Sequence, residues 1–220
     1  MPHMSSPTYR CPSLFGTLGG LLFAALLALL LAFPAHGEEG EKTISTDQLA
    51  AMMEKARTIT QPSEHHQALK RFLGTWETAL SITMGGGRSP AEKGETTFSW
   101  LIDGRWVQGK GKGTLMGLPS ETFMLLGYDN FKKSYVTASV SNMDTAMITS
   151  EGDMDPGGKA LLTYGTLDEY LTGEHDKMVK TIWRFLSEDE ILMELHDLPI
   201  GENHTQVVEI RFKRKKGSPS

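Results

Sequence analysis

Glu194 and His196 stand two residues apart in the apolar run Ile191–Leu198, so an extended chain puts them on one face. A carboxylate beside an imidazole is the pairing that proton transfer uses. Tyr135 joins them if its strand also points inward. Tyr135, Glu194 and His196 are therefore the candidate ligand-binding set. The same run carries a competing pattern, because Met193 and Leu195 are the more apolar alternates and would send Glu194 and His196 to solvent. Other constellations fall short of chemistry. His65 and His66 are adjacent on a predicted helix, so their rings diverge, and His175, His196 and His204 lack metal-ligand spacing. The stretch Asp153-Met154-Asp155-Pro156-Gly157-Gly158 opens like a calcium loop. Its twelfth position is Tyr164, where a bidentate acid is required, and it reads as a polar hairpin turn. The glycines at 85–87 and 109–113 lack the Gly-Lys-Ser/Thr ending of a phosphate loop and read as turn and bulge glycines. No Gly-x-Ser-x-Gly elbow is present. The sequence assigns no catalytic residue, no metal and no cofactor.

The elements that position these residues follow a targeting segment. Leu21–Phe33 is an unbroken apolar run of 13 residues, short of the roughly 20 that span a bilayer and suited to a signal peptide. Ala35-His36-Gly37 supplies small residues for cleavage after Gly37, and polar sequence follows at once. An uncleaved anchor is the alternative, since Leu14–Gly20 lengthens the apolar run. The single cysteine, Cys11, precedes the run, so the mature chain holds no disulfide and depends on its core for stability. Export to a periplasm or the extracellular space follows, with no stable membrane insertion after cleavage. The 22 basic and 27 acidic residues give a net charge of -5, which argues against a nucleic-acid partner. The chain divides into residues 1–37 as signal peptide, 38–61 as a polar segment with one helix, 62–216 as the folded domain and 217–220 as a tail.

Within the mature chain, Ile44, Leu49, Met52, Met53 and Ala56 predict a helix over 45–57. Ser63 caps a second, short helix that Gly74 stops. The period then changes to two. Trp76, Thr78, Leu80 and Ile82 alternate with polar neighbours, and about ten such strands follow, joined by short turns such as Asp103-Gly104. Short connections force antiparallel neighbours, and ten twisted strands close on themselves. The expected fold is an all-β, up-and-down antiparallel barrel of about ten strands, capped by short N-terminal helices. A β-sandwich would need long Greek-key crossings. If the first and last strands pair, Arg214 reaches Trp76 on the face shared with Val208, Ile210 and Phe212. Gly74, Trp76 and Arg214 are thus the expected closure of the barrel. Met84, Met116, Met124, Met147, Met178 and Met193 are expected to furnish an adaptable apolar interior.

Gly74-Thr75-Trp76 after a short helix, with an arginine near the end of the last strand, resembles the calycin superfamily of lipocalin-like barrels. Glu64-His65 to Trp76, Gly104-Arg105-Trp106, Gly127-Tyr128-Asp129-Asn130 with Lys132-Lys133, Met193-Glu194 and the Glu209–Arg214 strand resemble a mainly bacterial domain-of-unknown-function family, number 1579, across about residues 62–215. That family commonly carries Trp-x-Asp where this chain has Ser139-Val140-Ser141. The resemblance implies a small-molecule-binding barrel and brings no activity with it. The Gly-x-Trp-x-Gly-x-Gly start of related haem barrels is broken here at Thr78. The leading expectation is an exported, non-catalytic barrel for a small apolar ligand. The alternatives are an isomerase- or lyase-like enzyme using Glu194 or His196, and an interaction module that docks through the helix at 45–57.

Overall fold

The computed structural model describes residues 44–84, 86–169, 173–198 and 205–217. The signal-peptide reading of residues 1–37 and His204 lie outside them. The chain separates into a unit of Met1–Thr46 and a unit of Asp47–Ser220, and the second carries the barrel. Helix α1 spans Thr46–Thr60, three residues longer at its C-terminal end than the periodicity predicts. Helix α2 spans Glu64–Ala68 behind Ser63 and tightens into a 3-10 turn at Leu69–Phe72. No helix among the described residues is long and apolar enough to cross a membrane.

Ten long strands follow the alternation of the sequence: β1 (Gly74–Met84), β3 (Glu92–Ile102), β4 (Trp106–Leu115), β5 (Leu118–Asp129), β6 (Ser134–Ser141), β7 (Ile148–Met154), β8 (Ala160–Glu169), β9 (Glu174–Ser187), β10 (Glu190–Asp197) and β11 (Gln206–Arg214). The two-residue β2 (Gly87–Arg88) folds back on the end of β1. The long strands pair antiparallel in chain order, and β11 pairs with β1 to close the sheet. The closing register sets Trp76 opposite Arg214, Thr78 opposite Phe212 and Leu80 opposite Ile210. Closure satisfies the ladder hydrogen bonds that an open edge would leave unpaired.

Strand direction defines two poles. At one, β1 begins and β11 ends, and the α2 segment packs over the opening. Phe72 from the 3-10 turn enters the barrel and meets Phe98, Trp183 and Phe185 with ring centroids 5.3–5.6 Å apart. Trp76, Phe72, Leu161 and Ile191 are fully buried there, each contributing about 1.5–3 kcal/mol by leaving water. The other pole, at the β4–β5 and β6–β7 connections, stays open. The β4–β5 turn puts Met116 and Gly117 at positive φ, and Glu92 stabilises it by accepting both N–H groups at 2.6 and 3.1 Å.

The glycines of β4 correct the turn-and-bulge reading. Gly109, Gly111 and Gly113 lie inside a regular ladder and face inward, alternating with Lys110 and Lys112 on the outside. A Cβ on Gly109 would sit 2.5 Å from the Phe98 ring, and one on Gly111 would sit 2.3 Å from Thr122 Oγ1. This strand has no inward side chains along that stretch, so Phe98 and Thr122 pack directly onto its backbone, and the barrel interior beyond them is left unfilled.

Candidate ligand cavity

That space belongs to a cavity of about 260 Å³ which opens at the unplugged pole. Its volume is just below the usual range of small-molecule sites, about 300–1,000 Å³. The inner part is apolar, lined by Leu126, Trp183, Phe212, Met124, Met193 and Ile210. Around it lies a belt of hydroxyls from Thr78, Thr96, Thr122, Thr137, Ser139, Ser150 and Thr181. One part of the belt is wired together. Thr137 and Ser150 are 2.6 Å apart, and Ser150 donates to Thr163 at 2.9 Å. The hydroxyls of Thr96 and Thr122 bond to no described residue. They converge above bare Gly111, whose register partners they are.

Charge stays at the mouth. The Glu92 carboxylate is taken up by the β4–β5 turn, whose N–H groups hold it below the usual carboxylate range, the Gly117 bond first. Asp144 accepts from the Ala146 N–H at 3.2 Å. Lys93 and Lys112 also border the mouth, but both are exposed and alternate outward with Gly94 and Gly111, and the Lys112 side chain, 77% exposed, pairs with Glu121. Among the described residues, no charged side chain lines the cavity below its mouth.

The structure does not bring Tyr135, Glu194 and His196 together. Met193 and Leu195 take the inward positions of β10, which places Glu194 and His196 on the outer face of the barrel. There Glu194 binds Arg184 at 2.6 Å and accepts from Gln206 at 3.1 Å. His196 Nδ1 meets the Thr205 hydroxyl at 3.1 Å. Its Nε2, 4.0 Å from Glu194, is the buried side-chain polar atom without a partner among the described residues. Burial holds this imidazole below its ordinary pKa. Tyr135 does point inward, but into the plugged pole, where its hydroxyl donates to the His65 carbonyl at 3.3 Å. Burial, then the neighbouring Tyr128, pushes its phenol up to about 12. A general base drawn from Glu194 or His196 thus has no route to the cavity.

The methionine expectation also changes. Only Met124 and Met193 line the cavity, while Met84, Met116, Met147 and Met178 are exposed. Sequence reasoning placed a strand over 105–114 but missed that its glycines form the inward face, and it missed the hydroxyl belt. The alternation Gly-Lys-Gly-Lys-Gly over 109–113 was the available signal, because period two marks a strand face rather than a turn.

The plugged pole gathers most of the motifs. The Arg214 guanidinium lies over the Trp76 ring at 4.1 Å and donates to the carbonyls of Leu73 and Glu188. Trp76 Nε1 donates to Phe72 O at 2.7 Å. Arg105 donates to Thr60 O, and the Asn130 amide donates to Ile59 O and Gln61 O at 2.7 Å each. Those bonds satisfy the carbonyls at the end of α1. Tyr128 stacks on His65 at 4.2 Å, and the Trp106 ring lies on Gly127, where a Cβ would come within 2.3 Å of it. Asp155 accepts the N–H groups of Gly157, Lys159 and Ala160 and so shapes the β7–β8 turn.

Residues 61–214 match the model of a family described as a protein of unknown function, DUF1579. Solved structures similar to this chain include Rv2717c from M. tuberculosis, at 13% identity over 71% of this chain and 100% of that one, with a TM-score of 0.53. The S-type phycobiliprotein lyase CPES from Guillardia theta is 12% identical over 74% and 98%, with a TM-score of 0.44. A redesigned beta barrel is 11% identical over 68% and 96%, with a TM-score of 0.36. At these identities the likeness to Rv2717c concerns the fold alone. Among curated proteins, none matches the sequence.

Proposed function

Since the chain belongs to the DUF1579 family of proteins of unknown function, we propose a function from its own cavity: an exported, non-catalytic barrel that binds one small, mostly apolar molecule. The observation that carries this is a cavity of about 260 Å³ with an apolar inner part, plugged at one pole and open at the other. A barrel built only for stability would fill that space, because an empty cavity costs stability in proportion to its volume. Here Gly94, Gly111 and Gly113 bring no side chain to its wall. Export rests on the apolar run Leu21–Phe33 and the small residues before Gly37. Native mass spectrometry of protein purified from its own host tests both parts. The expected result is a chain that begins at Glu38 and carries a bound small molecule. A bare chain that retains residues 1–37 would refute them.

One observation favours a second reading, docking through α1. Leu49, Met52 and Met53 on that helix are each more than half exposed, and the hydrogen bonds from Arg105 and Asn130 tie the helix to the barrel at its C-terminal end. Hydrogen exchange separates the two. The docking reading requires α1 amides to exchange fast in the purified protein and slowly in host extract.

A further inference from the structure

We infer that the cavity selects an uncharged molecule whose hydroxyl or carbonyl oxygen sits between Thr96 and Thr122, over Gly111, and that it discriminates against the corresponding carboxylate. The inference rests on the proposed ligand-binding reading and adds the chemical class. Thr96 is 5% exposed, yet its hydroxyl bonds to no described residue and borders the cavity. Thr122 Oγ1 stands on the facing strand in the same row, since both residues are register partners of Gly111. A Cβ on Gly111 would lie 3.1 Å from one hydroxyl and 2.3 Å from the other. Both hydroxyls therefore crowd over the bare Gly111 backbone, close enough together for one ligand oxygen on the cavity side to meet both. Each threonine hydroxyl can donate or accept, so the pair suits a ligand hydroxyl, which does both, or a carbonyl oxygen, which accepts from both.

A carboxylate fits this position badly. An ionised group inside a barrel needs a cation or several donors to replace its water. The charged residues of the lining, Glu92, Lys93, Lys112 and Asp144, belong to the mouth, and the two lysines alternate outward on β3 and β4, so among the described residues no cation reaches the inner part. The nearby apolar surface of Trp183, Phe212, Met124 and Met193 suits the carbon skeleton of the same ligand.

Three probes with closely matched skeletons test the inference at pH 7.5: 4-propylbenzyl alcohol, 4-propylbenzoate and 4-propyltoluene. Binding is followed by titration calorimetry and by the amide NMR shifts of Gly109 and Gly111. The alcohol should bind at least tenfold more tightly than the benzoate. The double variant Thr96→Val, Thr122→Val should lose about tenfold in affinity for the alcohol, from two modest hydrogen bonds, and keep its affinity for the hydrocarbon within about twofold. Retained hydrocarbon binding also shows that the variant is folded. Equal or tighter binding of the benzoate, or an unchanged alcohol affinity in the double variant, overturns the inference and leaves the binding reading standing. If no probe moves the Gly109 and Gly111 amides, the binding reading falls with it.

Discussion

Replacing Arg214 by alanine removes the group that joins the last strand to the first and to the plug. Its side chain is 20% exposed, and its guanidinium carbon lies 4.1 Å from the centre of the Trp76 ring. A cation held over a buried indole contributes about 1–2 kcal/mol. The hydrogen bond from Nη1 to Leu73 O, at 2.6 Å, adds about 1.5–3 kcal/mol as a bond from a charged donor. Water recovers part of this at the carbonyls of Leu73 and Glu188. The ion pair with Asp189 adds almost nothing, since Asp189 is 78% exposed. The expected loss is about 2–4 kcal/mol. At an m-value near 2 kcal/mol per molar urea, the midpoint falls by roughly 1–2 M. Arg211 is the internal control. It has the opposite parity on β11 and binds Glu190 on the outer face, with both side chains about a third or more exposed, so Arg211→Ala should cost under about 0.5 kcal/mol. Arg214→Lys should fall between the two, keeping charge and losing the fork. Equal urea midpoints for Arg214→Ala and Arg211→Ala would refute the argument, and would mean that the backbone ladder closes the barrel without the guanidinium.

Two further outcomes follow from other parts of the plugged pole and the outer wall. Gly127→Ala should cost about 1–3 kcal/mol, because its Cβ meets the Trp106 ring at 2.3 Å; in the background of Trp106→Ala the same change should cost much less, and additive effects in urea melts would refute the coupling. The barrel should lose stability between pH 7 and 5. Burial first, and then Arg105, hold His66 below its ordinary value; burial does the same at His196. His66 must also stay neutral at Nδ1 to accept the Ser63 N–H at 3.0 Å. The unfolded chain therefore binds more protons. This stability is complete above the unfolded value near 6.5 and is lost as pH falls through the lowered folded values. Thermal melts should show it, and His66→Gln with His196→Gln should flatten the dependence; a Tm equal at pH 7.5 and 5 would refute it.

The barrel was legible because its strands alternate strictly and its turns are short. Closure was legible from one parity argument, since Val208, Ile210, Phe212 and Arg214 share a face that only pairing with β1 explains. The candidate site was less so. Glu194 and His196 sit in a strand where either face is chemically acceptable, because Arg184, Gln206 and Thr205 give the polar set partners on the outer wall. Those partners come from β9, β11 and the segment before β11, and a single strand's periodicity does not contain them. The inward direction of Tyr135 stood only as a condition in the sequence, and its depth along the barrel depends on the stagger of strands, which fixes pole rather than face. Methionine gave the opposite difficulty. Its apolarity suggests burial, yet Met84 and Met116 fall at turns of the open pole, where strand length and not hydrophobicity sets exposure.

The residues that carry the family resemblance and those that line the cavity are mostly different residues. Glu64–Trp76, Gly104–Trp106 and Gly127–Asn130 build the plugged pole: they seat α2, hold the end of α1 and stack Trp106 on Gly127. Met193 and the Glu209–Arg214 strand add apolar wall and the closing arginine. The belt that would meet a ligand comes from Thr96, Thr122, Thr137, Ser139 and Ser150, none of which belongs to those motifs. The place where the chain departs from the family pattern, Ser139-Val140-Ser141, contributes two serines to the cavity lining. A plug that holds the barrel closed needs nothing from the opposite wall, so the two halves can vary independently. Membership of the family accordingly goes with the barrel, while most of the side chains that line this chain's cavity lie outside the residues that carry the resemblance.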